Sequence, residues 1–314
     1  MKMLKRWGLF AITNILVMVT FGIVASILMQ ALKLNLYAPH LPSLLVYCAV
    51  FGMAGSFVSL FISKWMAKTM YGVKIIDPNN LNPELYQMAD ATTLRRLVSK
   101  VHGYAERAGL RKMPEVGIYD SADPNAFATG PSQSNSLVAV STGLLATMNE
   151  SEVDGVLAHE VAHIANGDMV TMTLLQGIVN TFAMFFSRIL ASVIANGVEE
   201  NKRHFVYMIA AIVGDIVFTL LGSFVVAYFS RLREFRADRG SAELGSKQNM
   251  IAALRKLQML QNHPRMQMIA EQTEDGKDAI AALKISSHGR GGIMALLRTH
   301  PSLDDRIAAL QNNL

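Results

Sequence analysis

Cysteine is all but missing. Cys48 is the only one and lies in an apolar run, so neither an intrachain disulfide nor a cysteine-based zinc site can form within the chain. It reads as a small apolar filler. Charge is also scarce: Asp, Glu, Lys and Arg make up 17% of the 314 residues, where a globular domain carries about 25%. The deficit is uneven, and 51% of the residues are hydrophobic, which points to membrane spans. Also lacking is a basic run interleaved with aromatics. The net charge is +5, yet the basic residues sit mostly at the ends of apolar stretches. The expected partner is a lipid bilayer and not a nucleic acid. No internal repeat is found.

Four apolar stretches are long enough to cross a bilayer, at about 7–32, 43–63, 169–198 and 205–230. The first follows Lys2, Lys5 and Arg6. It is too long for the apolar core of a signal peptide and lacks a clean small-residue cleavage site, so it is expected to be a retained helix. Arg188 and Asp215 interrupt the second pair. Each is costly at mid-bilayer, so they should either pair across the hairpin or face protein instead of lipid. Lys2, Lys5, Arg6, Lys64, Lys68 and the arginines at 231, 233, 236 and 239 fall on one side; Lys33, Lys202 and Arg203 fall on the other. The positive-inside rule then places both termini and the polar parts in the cytoplasm. The expected organisation is an N-terminal hairpin at 1–64, a cytoplasmic part at 65–168, a second hairpin at 169–230 and a cytoplasmic part at 231–314.

The cytoplasmic parts mix helices with a small sheet. Residues 93–110 place Leu94, Leu97, Val98, Val101 and Tyr104 on one helical face, with Arg95, Arg96 and Lys100 opposite. Short strands are expected at 116–119, 126–129 and 137–141, broken by turns at Asp123-Pro124 and Gly130-Pro131. Asn149 or Ser151 can cap the next helix, and Gly167 is its stop signal. Further helices are expected at about 249–261 and after His300-Pro301, with a polar stretch at 264–292 between them.

That middle helix carries His159-Glu160-Val161-Ala162-His163, an H-E-x-x-H motif. On a helix the two histidines share a face and can reach one metal ion, with Glu160 beside them to activate water. A catalytic zinc needs a third protein ligand. Glu234 is the candidate, because the motif precedes the second hairpin and Glu234 follows it, so the hairpin returns both to one membrane surface. Asp238 lies four residues on and can accept the outer N–H of a ligand histidine.

These residues, with Asn125-Ala126-Phe127-Ala128, His300-Pro301, Arg306 and the order of the apolar runs, resemble the HtpX family. That family comprises bacterial membrane-integral zinc metallopeptidases related to the CAAX prenyl protease. The resemblance covers nearly the whole chain. It implies a mainly α membrane protein with a small β-sheet: a zincin-like α+β metalloprotease domain joined to four transmembrane helices. It implies one zinc ion per chain, held by His159, His163 and Glu234 in a gluzincin-like set, with Glu160 as general base. His300 or Arg306 would steady the developing oxyanion, and Asn125 would bind substrate backbone on an edge strand. The substrates would be proteins or peptides, above all membrane or misfolded proteins. The setting would be quality control and stress response at the bacterial inner membrane.

Two other readings compete. An intramembrane protease would need the motif inside an apolar span, but polar residues at 149–154 and 166–168 bracket it. A non-catalytic scaffold or transporter with an incidental H-E-x-x-H is the reading from another class, and metal content discriminates it.

Overall fold

A computed structural model describes residues 41–261 and 298–312. The expected first span at 7–32 and the polar stretch at 264–292 lie outside the described residues. The chain divides into two compact units: residues up to Ser59 with Met172–Val226, and Leu60–Thr171 with Ala227–Leu314. Three long helices run through both units: α1 (Leu41–Met70), α5 (Asp168–Asn196) and α6 (Glu200–Leu244). Each contains an apolar stretch long enough to cross a membrane.

In the first unit, small residues let the helices approach closely. A side chain at Gly52 of α1 would meet the Thr181 backbone at 2.5 Å, and one at Gly214 of α6 would meet Ser187 Oγ at 2.7 Å. Ser187 Oγ also donates to the Ala211 carbonyl at 2.7 Å. Arg188 and Asp215 do pair, with Nη1 3.0 Å from Oδ2. Large apolar side chains such as Phe182, Phe186, Ile212 and Ile216 point outward, as a lipid-facing surface requires.

The second unit contains β1 (Lys74–Ile75), α2 (Ala91–Arg107), β2 (Glu115–Tyr119), β3 (Ala126–Ser132) and β4 (Asn135–Ser141). There follow α3 (Thr142–Thr147), α4 (Glu150–Ala165), α7 (Lys247–Gln261) and α8 (Leu303–Asn312). The sheet order is β1-β2-β4-β3, with β2 and β4 parallel and the other pairs antiparallel. The expected turn at Gly130-Pro131 is instead part of β3. Pro131 has no N–H to give a ladder, and the register shifts between Thr129 and Ser132. Gly130 has φ of 137°, and a side chain there would meet the Asn135 carbonyl at 2.2 Å. This edge strand therefore bends where only glycine fits.

The core gathers the α2 face at Leu94, Leu97, Val98 and Val101, the sheet face at Ile118, Val138 and Val140, and Leu157, Val161 and Ile164 of α4. Each such fully buried side chain contributes about 1.5–3 kcal/mol. Asn149 caps α4 by a capping box: its Oδ1 accepts from Glu152 N–H at 3.0 Å, and Glu152 Oε2 accepts from Asn149 N–H at 2.8 Å. Gly167, at φ 67°, turns the chain into α5. Asp154 is buried on α4 and binds Lys100 at 2.6 Å and Arg96 at 3.3 Å, tying α2 to α4. Glycines seat α4 against its neighbours. A side chain at Gly155 would meet the Asn249 carbonyl at 2.6 Å, and Ser241 Oγ of α6 donates to the Gly155 carbonyl at 2.9 Å. These contacts hold the last turns of α6 across the motif helix.

Candidate metal centre

The close crossing of α4 and α6 decides which side chains meet. His159 and His163 are one turn apart on the buried face of α4, and their rings stand at 84° to each other. Their Nε2 atoms are 3.1 Å apart. Glu234, 2% exposed, brings Oε2 to 3.6 Å from His159 Nε2 and Oε1 to 3.5 Å from His163 Nε2. One ligand atom from each residue lies within 4.8 Å of the others. Among the described residues this is the one His, Cys, Asp and Glu group that can hold a metal in this way.

The outer nitrogens reveal what the inner ones can do. His163 Nδ1–H donates to Asp168 Oδ2 at 2.7 Å, which leaves Nε2 as an acceptor. His159 Nδ1 lies 3.0 Å from Asp238 Oδ1, close but bent away from hydrogen-bond geometry, and the carboxylate favours a proton on that nitrogen. Both Nε2 lone pairs then face each other. Two lone pairs at this distance repel unless a cation lies between them, either a proton or a metal ion. Two neutral imidazoles and a carboxylate converging in this way are a donor set that fits a divalent transition metal.

The surrounding charges are tightly ordered. Arg306 is buried and grips Asp238 with two bonds, Nε to Oδ2 at 2.8 Å and Nη2 to Oδ1 at 2.6 Å. Its Nη1 is 3.4 Å from Glu234 Oε2, and its Nη2 is 3.5 Å from His159 Nε2. His300 Nδ1 is 3.1 Å from Glu234 Oε2, and Arg233 reaches Glu234 Oε1 at 3.2 Å. Burial pushes Glu234 upward, but hydrogen bonds from His159 and His300 outweigh it and hold the carboxyl far below the usual range. Burial likewise pushes Asp238 upward, but hydrogen bonds from Arg306 and His159 outweigh it and hold this carboxyl below its usual range. For His159, burial disfavours the cation, yet Asp238 and Glu234 raise its pKa to about 9. Burial opposes the Arg306 charge, and Asp238 restores it and carries the pKa above its ordinary value.

The structure thus brings His159, His163, Glu234, Asp238, His300 and Arg306 together. Glu160 is half-buried on α4, near enough for its charge to act on Arg306. Asn125 is placed by the sheet and not by the α4–α6 crossing. It sits just before β3, with its N–H bonded to Ser141 Oγ at 3.0 Å and its carbonyl to Ser141 N–H at 2.9 Å. The edge strand that it introduces does pack against α4.

Sequence reasoning missed Asp168. It is 1% exposed, supports His163 and is itself held by Arg236. The one signal was its place five residues after His163, at the start of an apolar helix, where a charge has no business unless it is paired. It also missed that Arg306 is tied to Asp238.

Residues 91–314 match the family model described as peptidase family M48. The chain belongs to that family. A protein named protease HtpX homolog from Bacillus subtilis is 49% identical over 314 residues, covering 98% of this chain and 99% of its own. Protease HtpX of Aeromonas hydrophila is 46% identical, covering 98% and 100%. The crystal structure of S. mikatae Ste24p has a TM-score of 0.60 at 16% identity and covers 95% of this chain. This chain spans 66% of that one, and the likeness concerns the fold alone. This M48 chain is a membrane-bound metalloendopeptidase with the mainly helical, zincin-like architecture expected from its sequence, and proteins or peptides are its substrates. The scaffold or transporter reading is left without support.

Proposed function

We propose that this M48 peptidase is a zinc endopeptidase that works at the cytoplasmic face of the bacterial inner membrane on membrane or misfolded proteins. One observation carries the reading: two histidine Nε2 atoms 3.1 Å apart, with the Glu234 carboxylate within 3.6 Å of both. His159, His163 and Glu234 would hold one zinc ion per chain. When bound, zinc supplies Lewis acidity to water and to the scissile carbonyl. Glu160 takes the proton of the attacking water on its carboxylate and later returns it to the leaving amine. Asp168 and Asp238 keep the imidazoles in the tautomer that presents Nε2 inward. Arg306 holds Asp238 in place, and His300, on the open side of Glu234, is the donor best placed to meet a developing oxyanion. Asn125 heads the edge strand β3, along which an extended substrate can add as a further strand. The cytoplasmic placement rests on the excess of Lys and Arg flanking the apolar runs on that side, and quality control follows from the likeness to proteases named HtpX.

The test is metal content and cleavage of an unfolded membrane-protein substrate in detergent or liposomes. We expect about one zinc per chain. Glu160→Gln should keep the zinc and lose cleavage by about 10²–10⁴-fold. Full activity in that variant would refute the reading.

A further inference from the structure

The two histidines of the metal centre are backed in different ways. His159 faces Asp238, and Arg306 grips both oxygens of that carboxylate from inside the protein, with a side chain only 8% exposed. His163 faces Asp168, whose two oxygens are divided. Oδ2 accepts from His163 Nδ1–H at 2.7 Å, and Oδ1 accepts from Arg236 Nη2. Asp168 is 1% exposed, yet the Arg236 side chain is 55% exposed. Asp168 opens α5, and Arg236 lies two residues past Glu234 on α6. Their contact therefore joins the start of one helix to the stretch of another that carries the third ligand. The positive-inside pattern accounts for Arg236 as one of four arginines that fix topology. It does not account for a contact to a buried carboxylate.

A carboxylate held at one oxygen can still turn about its last bond. A contact at the second oxygen removes that freedom and fixes where the first one points. For Asp168 the second contact is Arg236, and the first points at His163 Nδ1. The guanidinium also offsets the cost of burying the Asp168 charge. We propose that Arg236 is a positioning residue of the metal centre, which acts through Asp168 to aim His163 Nε2 at the ion. This assignment rests on the zinc-site reading above. The two arms then differ in one measurable way. Arg306 is buried and shielded from ions in solution, whereas Arg236 is half exposed and its attraction to Asp168 is open to screening by salt. Metal affinity therefore carries a salt-sensitive part that enters through His163.

The test measures metal binding by the full-length protein in detergent, with zinc by chelator competition and with cobalt by its visible spectrum. Arg236→Gln should weaken zinc binding by about tenfold, the lower end of the effect of an outer partner. It should also shift the cobalt bands, which report ligand geometry. Arg236→Lys should recover most of the loss. Arg239→Gln removes an exposed charge three residues further along the same helix and should change neither readout, which separates a local contact from general surface charge. In an Asp168→Asn background Arg236→Gln should add little, because its route to His163 is already cut. The gap between wild type and Arg236→Gln should narrow as salt rises from about 0.05 M to about 1 M. Wild-type affinity and spectrum in Arg236→Gln overturn the assignment and leave the peptidase reading intact. So does an equal loss in Arg239→Gln, or a full tenfold loss added on top of Asp168→Asn. Failure of wild type to bind either metal overturns both.

Discussion

The membrane hairpin and the metal centre both bury charge, and they balance it differently. In the hairpin, Arg188 meets Asp215 and each has its counter-charge. The pair completes itself. At the metal centre, Asp238 is spent on Arg306 and Asp168 on His163 and Arg236, while the two Nε2 lone pairs and Glu234 still converge on one point. The first arrangement suits packing and topology. The second is complete only with a cation. Buried charge by itself therefore says little about function; what distinguishes a site is acceptors that remain aimed at one another after every local partner has been assigned.

The largest break in that comparison is removal of an inward acceptor. His159→Ala or His163→Ala should abolish metal retention and cleavage together, measured by metal analysis and peptide hydrolysis. Asp168→Asn and Asp238→Asn should each weaken metal affinity by about 10–100-fold. Asp238→Asn should be the more damaging, because it also frees the buried Arg306. Competitive chelator titration measures both.

In the hairpin, Arg188→Leu or Asp215→Leu alone should destabilise by roughly 2.5–3.5 kcal/mol, the cost of one uncompensated charge in a span. The double variant should recover most of that loss, as read by thermal unfolding in detergent. If the singles and the double behave alike, the pair does not complete itself.

Protonation sharpens the same contrast. In chelated protein the raised pKa of His159 gives stability that is present below its ordinary value of 6.5 and fades as pH rises towards about 9. Glu234 and Asp238 are depressed, so their contribution is present above their ordinary values of 4.5 and 3.8 and is lost as pH falls below them. The chelated protein should be most stable between about 4.5 and 6.5 and lose stability from 6.5 to 9. A metal ion must displace the His159 proton, so metal affinity should rise with pH over that interval. A melting-temperature series with and without chelator checks both signs. The smallest effect expected is that of Asn149→Ala, which removes the capping box of α4 at about 1 kcal/mol without touching the metal ligands.

Much of this was legible beforehand because it repeats with a period. Apolar runs marked the helices α1, α5 and α6, short apolar runs between turn residues marked the strands β2 and β4, and the i, i+4 spacing put His159 with His163 and Glu234 with Asp238 on shared faces. The hairpin between residues 163 and 234 suggested that the two pairs meet. Period has no bearing on contacts between distant segments. The two-residue strand β1 is too short to have one, and the parallel match of β2 with β4 depends on chain crossing. Gly130-Pro131 read as a turn because both residues break ladders, whereas the edge position of β3 tolerates them.

The sequence by itself determined the apolar helices α1, α5 and α6, the motif helix and which residue types were available to hold a metal, since these follow from local spacing and hydrophobic pattern. Only the tertiary structure decided that Asp168 supports His163 while Asp238 approaches His159, that Arg306 locks Asp238, and that Arg236 reaches Asp168. The physical reason is distance and direction. A carboxylate orients an imidazole only within about 3 Å and from the correct side, and side chains far apart in the chain acquire such placement only when the close α4–α6 crossing is packed.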